Sequence, residues 1–219
     1  MRIGVLGTGV VGEAIATALV KQEHIVTMGS RKAGNEKATT WVAKAGGLAS
    51  EGSFDDAAHH SDVIFLCLNG EFALDAINSI DIKHLSNKIV IDLTNPLDFA
   101  QGMPPGILKE FRVKSLGEHI QEALPTSFVV KTLNTINYKL MVDARIVNKG
   151  IHDLFICGND EAAKTKVKEI LCANFYWNNE SLLDLGDIKA ARCLEAIVPF
   201  WVMVWKKLDT PLFNFQVVQ

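Results

Sequence analysis

Apolar residues along the chain fall in short runs separated by amphipathic stretches, the alternation produced by a parallel sheet with helices on both faces. Runs at 2–6, 24–28, 62–68, 88–92 and 127–133 predict strands, with a shorter one near 47–49. Between them, helical spacing predicts helices over 12–22, 35–45, 71–80 and 117–123. Past residue 145 the pattern gives a strand at 153–157, a helix at 160–173, a short strand at 182–185 and a long apolar helix over 187–208. Pro199 falls inside that last helix and is expected to kink it, because the apolar pattern continues beyond. Asp209-Thr210-Pro211 stops it, and the rest of the chain reads as extended. The expected fold class is α/β, a doubly wound, mostly parallel sheet with a small C-terminal extension that ends in the long helix. One domain is expected, with residues 1–145 as its core and 146–219 as the extension.

The first predicted strand runs directly into Gly7-Thr8-Gly9-Val10-Val11-Gly12 and then a helix. A Gly-x-Gly-x-x-Gly turn in that setting leaves backbone N–H groups and a helix N-terminus facing an open crevice, where a dinucleotide pyrophosphate binds. Gly7 permits the tight turn, Gly9 lets the phosphates approach, and Gly12 lets the helix close on the strand. The sheet is therefore expected to be Rossmann-like. An Asp or Glu ending the second strand would accept hydrogen bonds from a ribose 2′-hydroxyl and select NAD. Here that strand ends at Met28-Gly29 and continues Ser30-Arg31-Lys32, with Lys37 close behind. A hydroxyl and cations suit an adenosine 2′-phosphate, so NADP(H) is the expected cofactor.

Composition narrows the partners. A net charge of -3 without a Lys/Arg block argues against nucleic acid. The longest apolar run, 196–205, contains Pro199 and falls short of the roughly 20 residues that span a bilayer. Cys67, Cys157, Cys172 and Cys193 show no Cys-x-x-Cys spacing, which predicts buried free thiols in a reducing compartment and no metal site. The expectation is a soluble cytoplasmic protein. The six histidines fall at predicted element ends and loops, where surface placement is the default.

In an open α/β sheet the ligand lies beyond the carboxyl ends of the strands. Those ends continue as Leu68-Asn69-Gly70, Thr94-Asn95-Pro96 and Asn134-Thr135-Ile136, which are small, neutral and amide-rich. Asn95 and Asn134 either hold a carboxamide or a second ring, or cap turns. No Tyr-x-x-x-Lys arrangement and no His–Asp pair after a strand occurs, and Tyr138 is either a proton donor or a packing residue. Such a site suits hydride exchange between two bound rings, where orientation and desolvation carry the catalysis. No catalytic residue is assigned, with Asn134 a candidate for positioning the acceptor.

The glycine turn, Gly29-Ser30-Arg31, Thr94-Asn95-Pro96, Val129-Val130-Lys131-Thr132-Leu133-Asn134-Thr135 and Cys157-Gly158-Asn159-Asp160 resemble the NADPH:F420 (deazaflavin) oxidoreductase family over nearly the whole chain. The chain is also similar to the cytosolic reductase domain of the six-transmembrane epithelial antigen of prostate metalloreductases. The resemblance implies that Thr8, Ser30 and Arg31 contact the 2′-phosphate side and that Val10 and Val11 lie at the pyrophosphate turn. It implies loops at Leu68, Asn95 and Asn134 around the nicotinamide and second ring, with F420, FMN or FAD as the hydride acceptor. A homodimer through the C-terminal helix is implied as well. The chain carries Asn134 where deazaflavin reductases can carry His, and Asn137 where they can carry Pro, which leaves the acceptor open. Leu194, Ile197, Val198, Trp201, Val204 and Trp205 make the closing helix apolar nearly all round, so it is expected to be buried within the subunit or against a partner. Trp201 and Trp205 serve as packing or as a wall on the acceptor ring. Arg192 and Glu195 form a surface pair or reach the pocket. Two alternatives are a small imine or carbonyl reductase and a non-catalytic NADP(H)-sensing module.

Overall fold

In the computed structural model, which describes residues 1–218, the apolar runs become strands β1 (Arg2–Leu6), β2 (Ile25–Ser30), β3 (Ala49–Ser53), β4 (Val63–Leu66) and β5 (Ile89–Asp92). A small hairpin, β6 (Leu97–Asp98) and β7 (Gly106–Ile107), precedes β8 (Phe128–Thr132), β9 (Leu154–Gly158) and β10 (Leu182–Asp184). The main sheet has eight strands in the order β10-β9-β8-β5-β4-β1-β2-β3. It is parallel from β3 to β8; β9 then runs antiparallel to β8 and carries β10 parallel to itself. The strand order reverses between β1 and β4, which opens a crevice at their carboxyl ends.

Alternation along the strands builds two core layers. Ile3, Val5 and Phe65 pack with Ile15 and Leu19 of α1 (Val10–Lys21) and with Val167, Leu171 and Phe175 of α7 (Glu161–Phe175). Leu6, Ile64, Leu66 and Val90 face the opposite layer, which includes Leu116, Ile120 and Leu194. Helices on both faces make the sheet doubly wound, as its pattern predicts.

The short elements are where the structure departs from expectation. β3 spans five residues and leads straight into α3 (Phe54–His59), a helix too short to show periodicity. Its start is set by a capping box: the Ser53 hydroxyl accepts from the Asp56 N–H, and the Asp56 carboxylate accepts from the Ser53 N–H. The helices on the dinucleotide side continue with α2 (Glu36–Ala45) and α4 (Ala73–Asn78); α5 (Leu116–Ala123) and α6 (Tyr138–Val142) flank β8 in sequence.

The closing helix is present but divided. A single turn at Ile188–Ala190 leads into α8 (Ala191–Ala196), Ile197 interrupts it, and α9 (Val198–Leu208) follows. Pro199 lies in the first turn of α9, where its missing N–H breaks no intrahelical bond. Burial all round does not hold within the subunit: Phe200, Met203, Trp205 and Leu208 are exposed, while Val198, Trp201 and Val202 are buried. The tail folds back so that Phe213 stacks on Trp201 at 5.2 Å, and the Phe215 carbonyl accepts from the Asp153 N–H at 2.9 Å. Trp201 is thus a packing residue.

Three further expectations are corrected. His152 is buried, with Nε2 on the Ala144 carbonyl at 2.8 Å, because a shaped pocket beside Trp177 satisfies its ring. Cys193 is exposed on α8, whereas Cys157 is buried in β9. Arg192 and Glu195 do not pair with each other, because consecutive turns of α8 send Arg192 to Glu118 at 2.6 Å and Glu195 into the interior.

Glu118 also closes the Ser115 capping box of α5. Burial raises its pKa, but hydrogen bonds from Arg192 and Ser115 outweigh that and bring it to about 2. A depressed carboxylate stabilises the fold fully above its ordinary value of 4.5 and loses that contribution as pH falls to about 2. Urea unfolding across that window is expected to show a stability loss that Glu118→Gln removes; an unchanged pH slope in the variant contradicts the assignment.

Candidate functional site

The site begins at the glycine turn. Gly7 adopts φ +126° and donates its N–H to the Gly29 carbonyl at 2.9 Å, which ties the turn to the end of β2. A Cβ on Gly7 lies 2.2 Å from the Cys67 carbonyl oxygen, and one on Gly12 lies 2.0 Å from the Gly7 oxygen. Both positions exclude side chains. At Gly9 a Cβ meets nothing within 4 Å, so that space is open to a ligand. Gly9 caps the 12-residue α1 without any side-chain hydrogen bond, which leaves the first N–H groups of the helix free for an anion.

A cleft of about 670 Å³ brings Gly7, Thr8, Ser30, Arg31, Leu68 and Asn69 together. That volume is within the range of small-molecule and cofactor sites. A smaller hollow of about 200 Å³ continues past Gly9, Val10 and Val11 to Leu68 and Asn69. Cleft and hollow together trace a path from the end of β2, across the glycine turn, to the carboxyl end of β4. The open cradle at Gly9 fits the pyrophosphate of an NADP(H) molecule, and the cation at Arg31 fits its 2′-phosphate.

At the β2 end, Ser30 is buried and its hydroxyl donates to the Lys32 carbonyl at 2.6 Å, folding the loop so that Arg31 faces the cleft. Lys32 is exposed and does not line the cleft, and Lys37 lines a separate groove beside Trp41. Two residues that the sequence pattern did not single out as ligand contacts complete this end. The Arg31 guanidinium lies 5.4 Å from the ring centroid of Phe72, an exposed aromatic on the wall of the cleft. Asn35 also lines the cleft while capping α2 through Lys37 and Ala38 N–H groups. The only sequence signal for either was an asparagine at a helix start and an aromatic on a predicted helix.

At the other end the turns after β4, β5 and β8 press together. A Cβ on Gly70 lies 2.3 Å from the Asn95 oxygen and 2.8 Å from the Pro96 nitrogen. Asn69 caps the turn that follows it, accepting from the Glu71 N–H at 3.1 Å. Asn95 Nδ2 donates to the Asn134 carbonyl at 2.7 Å, and Asn134 Nδ2 donates to Asn95 Oδ1 at 2.9 Å and to the Leu194 carbonyl at 2.8 Å. Asn134 Oδ1 is buried and has no partner. Leu133, just before it, is held at φ +64°, a conformation unusual for leucine that recurs at functional sites. Pro96 and Thr135 are buried behind the amides. These four predicted residues, Asn95, Pro96, Asn134 and Thr135, cluster with one another beyond the cleft rather than along its walls. Tyr138 lines a different groove, on the outer side of α1 with Glu13 and Thr17. Among the described residues no group of His, Cys, Asp and Glu is arranged to hold a metal, and no helix is long and apolar enough to cross a membrane.

Residues 2–96 match the family model for coenzyme F420-dependent NADP oxidoreductases. The chain is 32% identical over 212 residues to an F420-dependent NADP reductase of Methanocaldococcus jannaschii, covering 92% of this chain and 91% of that protein. It superimposes on a candidate F420-dependent NADP reductase from Arthrobacter sp. FB24 with a TM-score of 0.93 and 37% identity, over 100% of both chains. It is also 29% identical to the metalloreductase STEAP3 of Rattus norvegicus, over 94% of this chain but only 38% of that longer protein. A reductive aminase from Aspergillus terreus in complex with NADPH matches with a TM-score of 0.65 at 17% identity, over 95% of this chain and 62% of that one, which shows a common fold. Fold, glycine turn and cleft define an NADP-dependent oxidoreductase of Rossmann type. Within that class the chain belongs to the coenzyme F420-dependent NADP oxidoreductase family.

Proposed function

We propose that the protein transfers a hydride between NADPH and the deazaflavin ring of coenzyme F420. The observation that carries this reading is the extent of the likeness to the Methanocaldococcus reductase, which covers 92% of the chain and so runs past the dinucleotide half into the closing segment. In our reading Gly7, Thr8, Gly9, Val10, Val11 and Gly12 receive the pyrophosphate, and Arg31 takes the 2′-phosphate, held in place by the Ser30–Lys32 hydrogen bond and with Lys32 as an outer charge. Leu68 and Asn69 border the nicotinamide and the acceptor ring, Asn134 engages them through its unpartnered Oδ1, and Asn95, Pro96 and Thr135 support that amide from behind. The dihydronicotinamide gives up a hydride from C4, the deazaflavin accepts it at C5, a proton from water completes the reduction at a ring nitrogen, and NADP+ leaves. Neutral amides suit this chemistry, because the protein need only hold two rings face to face and exclude water.

Asn134, in a position where a deazaflavin reductase can carry histidine, favours a second reading in which FMN or FAD is the acceptor. Anaerobic NADPH oxidation with F420, FMN and FAD at fixed protein concentration separates the two. We expect the highest kcat/KM with F420; a higher value with FMN or FAD moves the assignment to a flavin reductase. NADPH binding without turnover of any acceptor makes the protein a sensor and overturns both.

We further propose a cytoplasmic homodimer, joined through Phe200, Met203, Trp205 and Leu208, the apolar residues that α9 leaves exposed. Sedimentation is expected to give a dimer that Trp205→Glu converts to monomer; a monomeric wild type contradicts it.

A further inference from the structure

Beneath the amide pair lies an ionic group that the cofactor cleft does not use. Lys131, in the middle of the sheet on β8, is fully buried, as is Asp92 at the end of β5, and Glu195 of α8 is nearly so. The Lys131 ammonium donates to Asp92 Oδ2 at 2.9 Å, to Glu195 Oε1 at 2.9 Å and to the Thr94 carbonyl at 2.6 Å. Each of its three N–H groups has an acceptor. Burial works against the charge on Lys131, but Asp92 and Glu195 outweigh it and hold its pKa above the ordinary lysine value.

Two carboxylates facing one ammonium leave a surplus negative charge in the interior. The backbone absorbs it. Asp92 Oδ1 accepts from the Thr94 N–H at 2.8 Å and its hydroxyl at 2.6 Å, and Glu195 accepts from the Leu116 and Gly117 N–H groups, both at 2.9 Å. Those last two open α5, whose N-terminal dipole favours an anion. An apolar packing of the same volume often serves stability as well as a buried ion group does, so stability alone does not account for these charges.

What the three partners share is their attachment to the amide pair. Thr94 precedes Asn95. Glu195 follows Leu194, whose carbonyl takes Asn134 Nδ2 at 2.8 Å. Lys131 itself stands three residues before Asn134, across the strained Leu133. One ammonium therefore ties together the turn after β5, the turn after β8 and α8, the three segments whose hydrogen bonds fix the Asn134 carboxamide. Both Asn134 Nδ2 hydrogens are consumed within the protein, and Oδ1 is left as a buried acceptor without a donor.

We propose that Lys131 is a positioning residue for hydride transfer: by clamping Thr94, Asp92 and Glu195 it fixes Asn134 so that Oδ1 accepts a hydrogen bond from an N–H of a bound ligand. The N–H belongs either to the nicotinamide carboxamide or to the lactam edge of the acceptor ring. This inference rests on the NADPH reading of the cleft. An orphaned acceptor regains its full hydrogen bond only when such a donor arrives, which makes its orientation matter to the ligand more than to the apo fold.

The test uses wild type, Lys131→Met, Asn134→Ala and the double variant, titrated with NADPH and with 2′,5′-ADP, the adenosine end of the cofactor alone. Acceptor kinetics with F420 and FMN follow. Lys131→Met is expected to keep wild-type affinity for 2′,5′-ADP and to lose about tenfold either in NADPH affinity, which identifies the carboxamide as the donor, or in acceptor kcat/KM, which identifies the ring. In the Asn134→Ala background the Lys131 substitution is expected to add nothing, because it acts through that residue. Equal losses of 2′,5′-ADP and NADPH, wild-type behaviour in every readout, or effects that multiply in the double variant overturn the proposal. Glu195→Gln, which keeps the shape but weakens the clamp, gives the same pattern at smaller size should Lys131→Met fail to fold; its absence likewise overturns the proposal. A wild-type protein that does not bind 2′,5′-ADP overturns the cofactor reading itself, and the positioning role with it.

Discussion

Replacing Arg31 with alanine is expected to weaken NADPH binding about 10- to 100-fold while changing NADH binding by no more than a few-fold. The range corresponds to losing charge-assisted hydrogen bonds to the 2′-phosphate, at about 1.5–3 kcal/mol. Strand β2 ends at Ser30 and is followed by Arg31, with no carboxylate to engage a ribose hydroxyl, and Ser30 spends its hydroxyl on the Lys32 carbonyl, so Arg31 is the principal cation facing the cleft. Its guanidinium also stands over the Phe72 ring, 5.4 Å from the centroid, and the adenine is expected to lie against this pair. Both cofactors share that stacking, which accounts for the small effect on NADH. Isothermal titration of both nucleotides against both proteins checks it, and raised salt should narrow the difference because the contact is near solvent. Equal losses for NADPH and NADH would remove the 2′-phosphate assignment.

The glycine turn yields a second large effect, in which stability and binding separate by position. Gly12→Ala puts a Cβ 2.0 Å from the Gly7 carbonyl oxygen, within the backbone of the turn itself, and neither side has a flexible end to move. It is expected to destabilise the protein by about 3 kcal/mol or more, the size associated with overpacking at a rigid site. Gly9→Ala meets no protein atom within 4 Å, and Gly9 has φ −82°, which alanine adopts freely. Its melting is expected to stay within about 1 kcal/mol of wild type, the cost of losing a glycine helix cap. Its NADPH affinity is expected to fall by about 100-fold, because the added methyl occupies the phosphate approach. Thermal unfolding beside NADPH titration tests the pair. Wild-type binding by Gly9→Ala would mean that the pyrophosphate does not sit on this turn.

These two sites were legible in the sequence because they are local. The glycines, the strand before them and the helix after them lie within about twenty residues, and the Ser30-Arg31 loop is placed by counting along one βαβ unit. Two of the short helices carry no period to read: α3 is marked only by a Ser-x-x-Asp cap, and α6 by an asparagine cap. The amide residues Asn95 and Asn134 were identifiable by their place after strands, but not their pairing across 39 positions. The same holds for the ionic clamp, whose members Asp92, Lys131 and Glu195 meet only once β5, β8 and α8 are assembled. Glu195 lies on what reads as the polar side of a helix and is instead buried, because α8 is enclosed on that side by α5. The Arg31–Phe72 pair joins β2 to the turn before α4, and no single segment announces it.

Hydride transfer itself can be followed by its label. NADPH carrying deuterium at the transferred C4 position, oxidised with F420 in the presence of the protein, should yield reduced F420 with deuterium retained at C5. That position is carbon and does not exchange with water, unlike the N5 of a reduced flavin. The account predicts catalytic turnover with the label at C5. NADPH that binds but is not consumed by F420, FMN or FAD, or product whose new hydrogen comes from solvent, would contradict it.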